Sequence, residues 1–402
     1  FVITSSDGST NGVGTTNGAT AAAIAYNDIN GSHTVSLGIA LTTTGANRGI
    51  KTTNNDTEAQ SNTVTVTKTG SITTGTGNNA YGIFNDGAFN TTTVSGSIKT
   101  TGKYANGIDN LGDSNTTTVS GSITTTGDDG YGIFNDGASN KTTVSGSITT
   151  GVVGTNAGED STGIWNYGND NTTTLTSTGV ITVNGPKADG IYNSSGDKNI
   201  TIVSGSITTT GDDGYGIFND GASNKTTVSG SITTGVVGTN AGEDSTGIWN
   251  YGNDNTTTLT STGVITVNGP KADGIYNSSG DKNITIVHGS IFVNGNGVAD
   301  DYAEGITNYG DDNETTLSGS ITTTGNYAMG IANYGNNNKV TISGTVKSTG
   351  AKSGALYNYS GSGNSFTLNE GATIIGDILA VDEIGTAYDA TNSKLIFNLG
   401  AS

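Results

Sequence analysis

Hydrophobic residues in this chain come singly and at fixed intervals. In residues 119–143, Val119, Gly121 and Ile123 share one parity and Ser120, Ser122 and Thr124 the other. That alternation marks a strand with one buried face. A turn cluster, Thr126-Gly127-Asp128-Asp129-Gly130, comes next, then a second short strand, Tyr131-Gly132-Ile133-Phe134-Asn135. Asp136-Gly137-Ala138-Ser139-Asn140 turns the chain again, and Thr142-Thr143 lead into the next Val-Ser-Gly-Ser-Ile. No helical period occurs anywhere, so short strands and tight turns are the predicted elements.

The Gly-Ile step anchors an alignment of these units. It recurs at Ile50, Ile83, Ile108, Ile133, Ile164, Ile191, Ile217, Ile248, Ile275, Ile306 and Ile331, with Leu356 as a late variant. Two positions later stands an asparagine: Asn85, Asn110, Asn135, Asn166, Asn193, Asn219, Asn250, Asn277, Asn308, Asn333 and Asn358. A second asparagine follows the anchor by seven or eight positions, from Asn90 and Asn115 to Asn338 and Asn364. A residue type that appears once per coil stacks on itself, and an amide both donates and accepts, so two structural Asn ladders are expected at the corners. Several second-column asparagines read Asn-X-Thr, a glycosylation pattern that any Asn- and Thr-rich repeat produces.

Residues 119–203 recur unchanged as 203–287, an 84-residue tandem copy within the larger repeat. Each copy holds three units of roughly 25–33 residues, a period that means a solenoid or an array. A coil of this length cannot bury enough apolar surface alone and must stack. The expected fold is therefore all-β, a right-handed parallel β-helix (β-solenoid) with coils of about 25 residues. Some 12–14 coils at the inter-strand spacing would rise on the order of 60 Å. A β-propeller is the alternative, but its blades need about 40–50 residues and four strands each. The expected division is an N-terminal cap or first coil over 1–32, the repeats over 33–365, and C-terminal coils or a cap over 366–402.

Composition narrows the picture. Only 31% of residues are hydrophobic and 65 are Gly, which would suit a disordered chain were the Ile, Val and Asn offsets not held from unit to unit. The net charge of −19, from 34 acidic and 15 basic residues, leaves no basic stripe for nucleic acid or an anionic membrane. Cysteine is absent, so no disulfide holds the fold. No stretch approaches the roughly 18 apolar residues of a spanning helix. No charged-then-apolar leader opens the sequence at Phe1; for an exported chain it is expected upstream or already removed.

Two variable places invite chemistry. The turn before the anchor expands at 151–161 and 235–245, bringing Glu159-Asp160 and Glu243-Asp244. Asp128-Asp129, Asp212-Asp213 and Asp300-Asp301 stand on related turns. Paired carboxylates suggest a polysaccharide-degrading β-helix, but these pairs are duplicated rather than gathered around one bond, and His33 and His288 lie far apart. Calcium is the one ion such turns could bridge, yet neither an EF-hand nor a Gly-Gly-X-Gly-X-Asp pattern is present. The expectation is no enzyme and no resident cofactor.

The second variable place directly follows the anchor: Phe84, Asp109, Phe134, Trp165, Tyr192, Phe218, Trp249, Tyr276, Thr307, Ala332 and Tyr357. Parity opposite the anchor predicts an outward column, and Asp109 and Thr307 agree with that. Phe134, Trp165, Tyr192, Phe218, Trp249 and Tyr276, joined by Tyr167 and Tyr251, form the candidate binding strip, with Tyr309, Tyr334 and Tyr359 beside it. Aromatic rings either shield one another as cross-strand pairs or form a partner surface for sugar faces or a second molecule. Outward Thr ladders are also expected from runs such as Thr116-Thr117-Thr118, with ice binding as the function they would serve.

After about Ser365 the repeat changes to Phe366-Thr367-Leu368-Asn369-Glu370-Gly371-Ala372-Thr373-Ile374-Ile375-Gly376-Asp377-Ile378, and Asn392–Gly400 reads as a further strand. With the Gly-Ser-Ile-Thr-Thr and Gly-Ile-X-Asn units, this resembles the passenger domains of bacterial autotransporters, the type V secretion family. The resemblance covers most of the chain, although the repeats are degenerate. It implies a surface-exposed or secreted β-helix on the exterior of a Gram-negative outer membrane, acting in adhesion or self-association. Its partners would be further copies of itself or glycans or proteins of a host or abiotic surface. Contact with the membrane would be made only through a barrel that this sequence does not contain. An S-layer or filament subunit and a glycan-binding module are the alternative readings. No Gly-X-Ser-X-Gly elbow occurs, so the serine-protease activity of some family members is not implied.

Overall fold

The computed structural model describes residues 2–5, 22–26, 33–54, 56–152, 158–236, 242–299, 301–379 and 392–398. They fall into two compact units, 1–200 and 201–402. Each unit is an all-β parallel solenoid with three sheets.

In the first unit, one sheet stacks Thr91–Val94, Thr116–Val119, Lys141–Val144 and Thr172–Leu175 in parallel register. A second stacks Ser97–Thr100, Ser122–Thr125, Ser147–Thr150 and Val180–Val183. The third holds the anchors, in Ile83–Asp86, Ile108–Asn110, Ile133–Asn135, Ile164–Asn166 and Ile191–Asn193. The second unit repeats the plan, its anchor sheet running from Ile217–Asn219 through Ile248–Asn250, Ile275–Asn277, Ala303–Asn308 and Ala328–Asn333 to Gly354–Asn358. Coils measure 25 residues where the turn is short and 31 where the acidic loop expands, as from Asn110 to Asn135 and from Asn135 to Asn166.

Three strands form each coil where the alternation pattern suggested two. Val-Ser-Gly-Ser-Ile reads as one strand but breaks at its centre: the amides of Ser120 and Gly121 both donate to the Val94 carbonyl, at 2.8 and 3.0 Å. The bend drives the backbone against the coil below, and a Cβ on Gly121 would stand 1.9 Å from the Gly96 oxygen. Only glycine fits this corner. Val119, Ile123 and Ile133 point inward from the three sheets and are fully buried, as are their equivalents in the other coils.

Threonine divides between the two faces, correcting the expectation of outward Thr ladders. Thr117, Thr142, Thr173, Thr226 and Thr257 are buried with the aliphatics, while the neighbours on either side stay partly open. These five hydroxyls accept from the amides of Asn110, Asn135, Asn166, Asn219 and Asn250, each at 3.1 Å, which offsets the cost of burying them.

At the start, Val2–Ser5 pairs antiparallel with His33–Leu37 and Ala22–Tyr26 pairs parallel with Arg48–Thr53. The rest of the expected 1–32 cap lies outside the described residues. Thr373–Ile375, Asp377–Leu379 and Lys394–Asn398 continue the three sheets of the second unit.

Candidate functional site

The anchor sheet builds the candidate site. In register, the position after the anchor stacks Phe134 on Trp165 and Trp165 on Tyr192 in the first unit. In the second unit it stacks Phe218 on Trp249 and Trp249 on Tyr276. Trp165 lies 5.3 Å from both Phe134 and Tyr192, and Trp249 lies 4.8 Å from Phe218 and 5.6 Å from Tyr276. Trp165 stacks on Tyr192 and is tilted against Phe134, while Trp249 stacks on both neighbours, so the rings protect one another as well as facing outward.

The column is less open than parity implies. All six rings from Phe134 to Tyr276 are half-buried, and Phe84, Ala332 and Tyr357 are buried. Asp109 and Thr307, taken as evidence of exposure, are only 4% and 3% exposed. The cause is a second column that parity reasoning missed: the residue before the Gly of each Gly-Ile step. Tyr131 from this column packs edge-on against Trp165 at 4.6 Å, and Tyr215 against Trp249 at 4.7 Å. Where the second column is not aromatic it is polar except at Met329, reading Arg48, Asn106, Thr162 and Asp189 in one unit and Thr246, Asp273 and Glu304 before Met329 in the other. The recurrent Tyr-Gly-Ile triplet was the signal available in the sequence.

More open rings lie at the neighbouring corner. Tyr167, Tyr251 and Tyr309 are 47%, 44% and 56% exposed. Tyr167 and Tyr251 stand edge-on to Trp165 and Trp249, at 6.4 and 6.0 Å. Tyr309 stacks on Tyr334 at 5.5 Å, and Tyr334 contacts Tyr359 at 5.2 Å.

Both asparagine columns are hydrogen-bonded ladders of different kinds. In the first, each amide donates to the carbonyl of the next: Asn85 to Asn110, Asn110 to Asn135, Asn135 to Asn166 and Asn166 to Asn193, at 2.7–2.8 Å. Asn219, Asn250, Asn277, Asn308 and Asn333 repeat the chain at 2.8–2.9 Å. Asn358 instead accepts from Asn364 at 2.8 Å. In the second column the backbone N–H donates to the next side chain, as Asn115 to Asn140 at 2.7 Å. The Asn115 amide then donates to the Gly112 carbonyl and holds its own turn.

The acidic turns are structural in their contacts. Asp128 and Asp212 accept from the amides of Gly158 and Gly242, at 2.9 and 2.7 Å. Asp129, Asp160, Asp213 and Asp244 adopt left-handed φ of 51° to 56°, which Asp tolerates. Glu159 and Glu243 pair with Lys187 and Lys271, each at 2.9 Å. Asp300 lies outside the described residues. Among the described residues no group of three or more His, Asp or Glu could hold a metal ion.

Burial raises Asp160 and Asp244 of the acidic turns, and it acts further on carboxyls of the two packed columns. Burial pushes Asp109 up to about 7, against the opposing pull of its hydrogen bond from Asn106 at 2.8 Å. Burial also raises Asp273 and Glu304, the latter to about 7. These two line a cavity of about 300 Å³ in the second unit, together with Trp249, Tyr276, Tyr302 and Tyr309.

No protein-family model matches the chain, and no curated protein matches it. Among solved structures it is similar to a TibC-catalysed, hyper-glycosylated TibA fragment. That likeness spans 93% of this chain and 97% of the fragment, at 13% identity and a TM-score of 0.26. The fold described above rests on strand register and not on this likeness.

Proposed function

We propose that the chain is a non-enzymatic β-helical protein of the cell surface or secreted space, acting in adhesion or self-association. The observation that carries this reading is the exposed tyrosine beside each stacked tryptophan, Tyr167 by Trp165 and Tyr251 by Trp249, at the same place in both copies. Duplicated, outward-facing rings suit a multivalent contact, where linked weak sites act together. The acidic pairs support the non-enzymatic part of the reading, because hydrogen bonds and ion pairs at their own turns already engage them. Resemblance of the repeat and of the Gly-Ala-Thr-Ile segment to autotransporter passengers supports the surface location.

Glycan binding is the second reading, favoured by the flat rings of Trp165 and Trp249, which suit sugar faces. A double variant, Tyr167→Ala/Tyr251→Ala, tests the contact surface. Purified chain should lose concentration-dependent association in sedimentation velocity, and cells displaying it should stop settling. A wild-type chain that stays monomeric and binds neither cells nor a glycan array would overturn the proposal. So would new reducing or unsaturated ends released from acidic polysaccharides.

A further inference from the structure

The cavity of the second unit owes its existence to a gap in the aromatic column. Phe218, Trp249 and Tyr276 are followed in register by Thr307 and then Ala332. Thr307 therefore stands where a ring would stack, beside a void of about 300 Å³, whereas Ala332 is packed with Tyr302, Met329 and Tyr357. Six rings wall the void: Tyr215, Trp249, Tyr276, Tyr302, Tyr309 and Tyr334. Its polar floor is the packed second column, Asp273 and Glu304.

Thr307 joins the two carboxyls, its Oγ1 lying 3.2 Å from Asp273 Oδ2 and in closer contact with Glu304 Oε2. A hydroxyl has one hydrogen to donate, so both contacts are hydrogen bonds at full strength only when one carboxyl carries a proton. The remaining oxygens accept from the Glu304 backbone N–H at 2.9 Å and from the Tyr334 hydroxyl at 2.5 Å. The pair thus shares one proton and keeps one negative charge, a partition that the raised affinity of both groups for protons supports.

Among the described residues no ion pair reaches Asp273 or Glu304. Lys271, the one basic residue lining the cavity, is engaged at the rim by Glu243 at 2.9 Å and Asp301 at 3.5 Å. Asp244 and Asp301 add negative charge to the lining. Ring faces and carboxylates both present negative potential, and a walled cavity concentrates it.

We propose that this cavity binds an organic ammonium group, carried by an amino sugar or by a lysine-type side chain, with the rings around it and the Asp273–Glu304 pair beneath. The site is separate from the exposed tyrosines of the contact surface and stands whether or not those tyrosines mediate association.

Calorimetric titration of the full chain with glucosamine, glucose and N-acetyl-lysine amide, each at millimolar concentration, tests it. Glucosamine or N-acetyl-lysine amide should bind and glucose should not, and the better of the two amines identifies the source. The double variant Asp273→Asn/Glu304→Gln, which removes the pair's charge and keeps the acceptors for the Glu304 backbone N–H and the Tyr334 hydroxyl, should weaken binding by about tenfold or more, as loss of a charge-assisted contact implies. Should that variant fail to fold, Asp301→Lys at the exposed rim serves instead, and its added cation should weaken amine binding several-fold. Equal binding of glucose and glucosamine, no binding of either amine, or unchanged affinity in the folded variant would each overturn the proposal. Tyr167→Ala/Tyr251→Ala should leave amine binding unchanged, which separates failure here from failure of the adhesion reading.

Discussion

Removing one rung of the first Asn ladder should cost more within the ladder than at its end. Asn250 accepts from Asn219 at 2.9 Å and donates to Thr257 and Asn277 at 3.1 and 2.8 Å. Asn250→Ala removes the acceptor of one Asn219 N–H, the other still donating to Thr226, and the donor to the Asn277 carbonyl, in a column with no access to water. At ~1–3 kcal/mol for each orphaned buried group, the loss is about 2–6 kcal/mol. Asn166 makes the same contacts in the first copy, at 2.8, 3.1 and 2.8 Å, so Asn166→Ala should cost the same. Asn333 accepts from Asn308 at 2.9 Å, but its own amide makes no hydrogen bond. Asn333→Ala therefore strands one group and removes an unsatisfied one, for a net loss of at most ~1–3 kcal/mol. Hydrogen–deuterium exchange with mass spectrometry reads these losses as local opening free energies. The tandem copy provides an internal control, since the substituted peptide differs in mass from its otherwise identical twin. If Asn333→Ala costs as much as Asn250→Ala, or if Asn166→Ala and Asn250→Ala differ by more than ~1 kcal/mol, ladder hydrogen bonding is not what stabilises the column.

Three further outcomes follow from the packing. Gly132→Ala places a methyl 2.3 Å from Ile148 Cγ2 and 2.5 Å from the Gly163 oxygen, so it should lower the melting temperature through at least ~1–3 kcal/mol of overpacking; an unchanged melting curve would show that the coils can spread. Trp165→Ala removes stacking with Phe134 and Tyr192 and should destabilise the first unit by ~3–5 kcal/mol, whereas Tyr167→Ala at the exposed corner should stay within ~0.5 kcal/mol, both by urea titration. Asp109 has a folded pKa of about 7 against 3.8 for a free carboxyl, so the folded chain retains a proton that the unfolded chain releases between these values. Its contribution to stability is therefore present below about pH 4 and lost as pH rises towards 7, by ~4 kcal/mol at most. Asp109→Asn should raise the melting temperature at pH 8 and change it little at pH 4; equal effects at both would show that Asp109 is not ionising in place.

The period of the chain, read from the Gly-Ile anchors and their following asparagines, was enough to specify parallel stacking. A residue recurring once per coil has no other neighbour to meet, which is why Asn110, Asn135 and Asn166 hydrogen-bond in line. The inward aliphatics were equally legible, because alternation against serine and threonine is a local property of a strand. The corner at Ser120-Gly121 was not, since a one-residue bend leaves parity almost intact and is dictated by the carbonyl of the coil below. Inward threonine escaped for a related reason: the partners that make burial of Thr117 and Thr142 tolerable, the Asn110 and Asn135 amides, come from another part of the coil.

The candidate site shows the same division. Its aromatic column could be read from sequence because each ring keeps a fixed offset from its anchor. How open that column is depended on a second column, Tyr131 and Tyr215 in two coils, Asp273 and Glu304 in others, packed beside it. Covering depends on distance in space, and no spacing along the chain reveals it. Asp109 and Thr307 suggested exposure by their polarity, yet they are buried with partners of their own. The sequence by itself determined which residues stack, because stacking follows the repeat. Only the tertiary structure decided which stacked residues meet water and where a missing ring leaves a cavity, because both depend on what neighbouring turns place over the sheet.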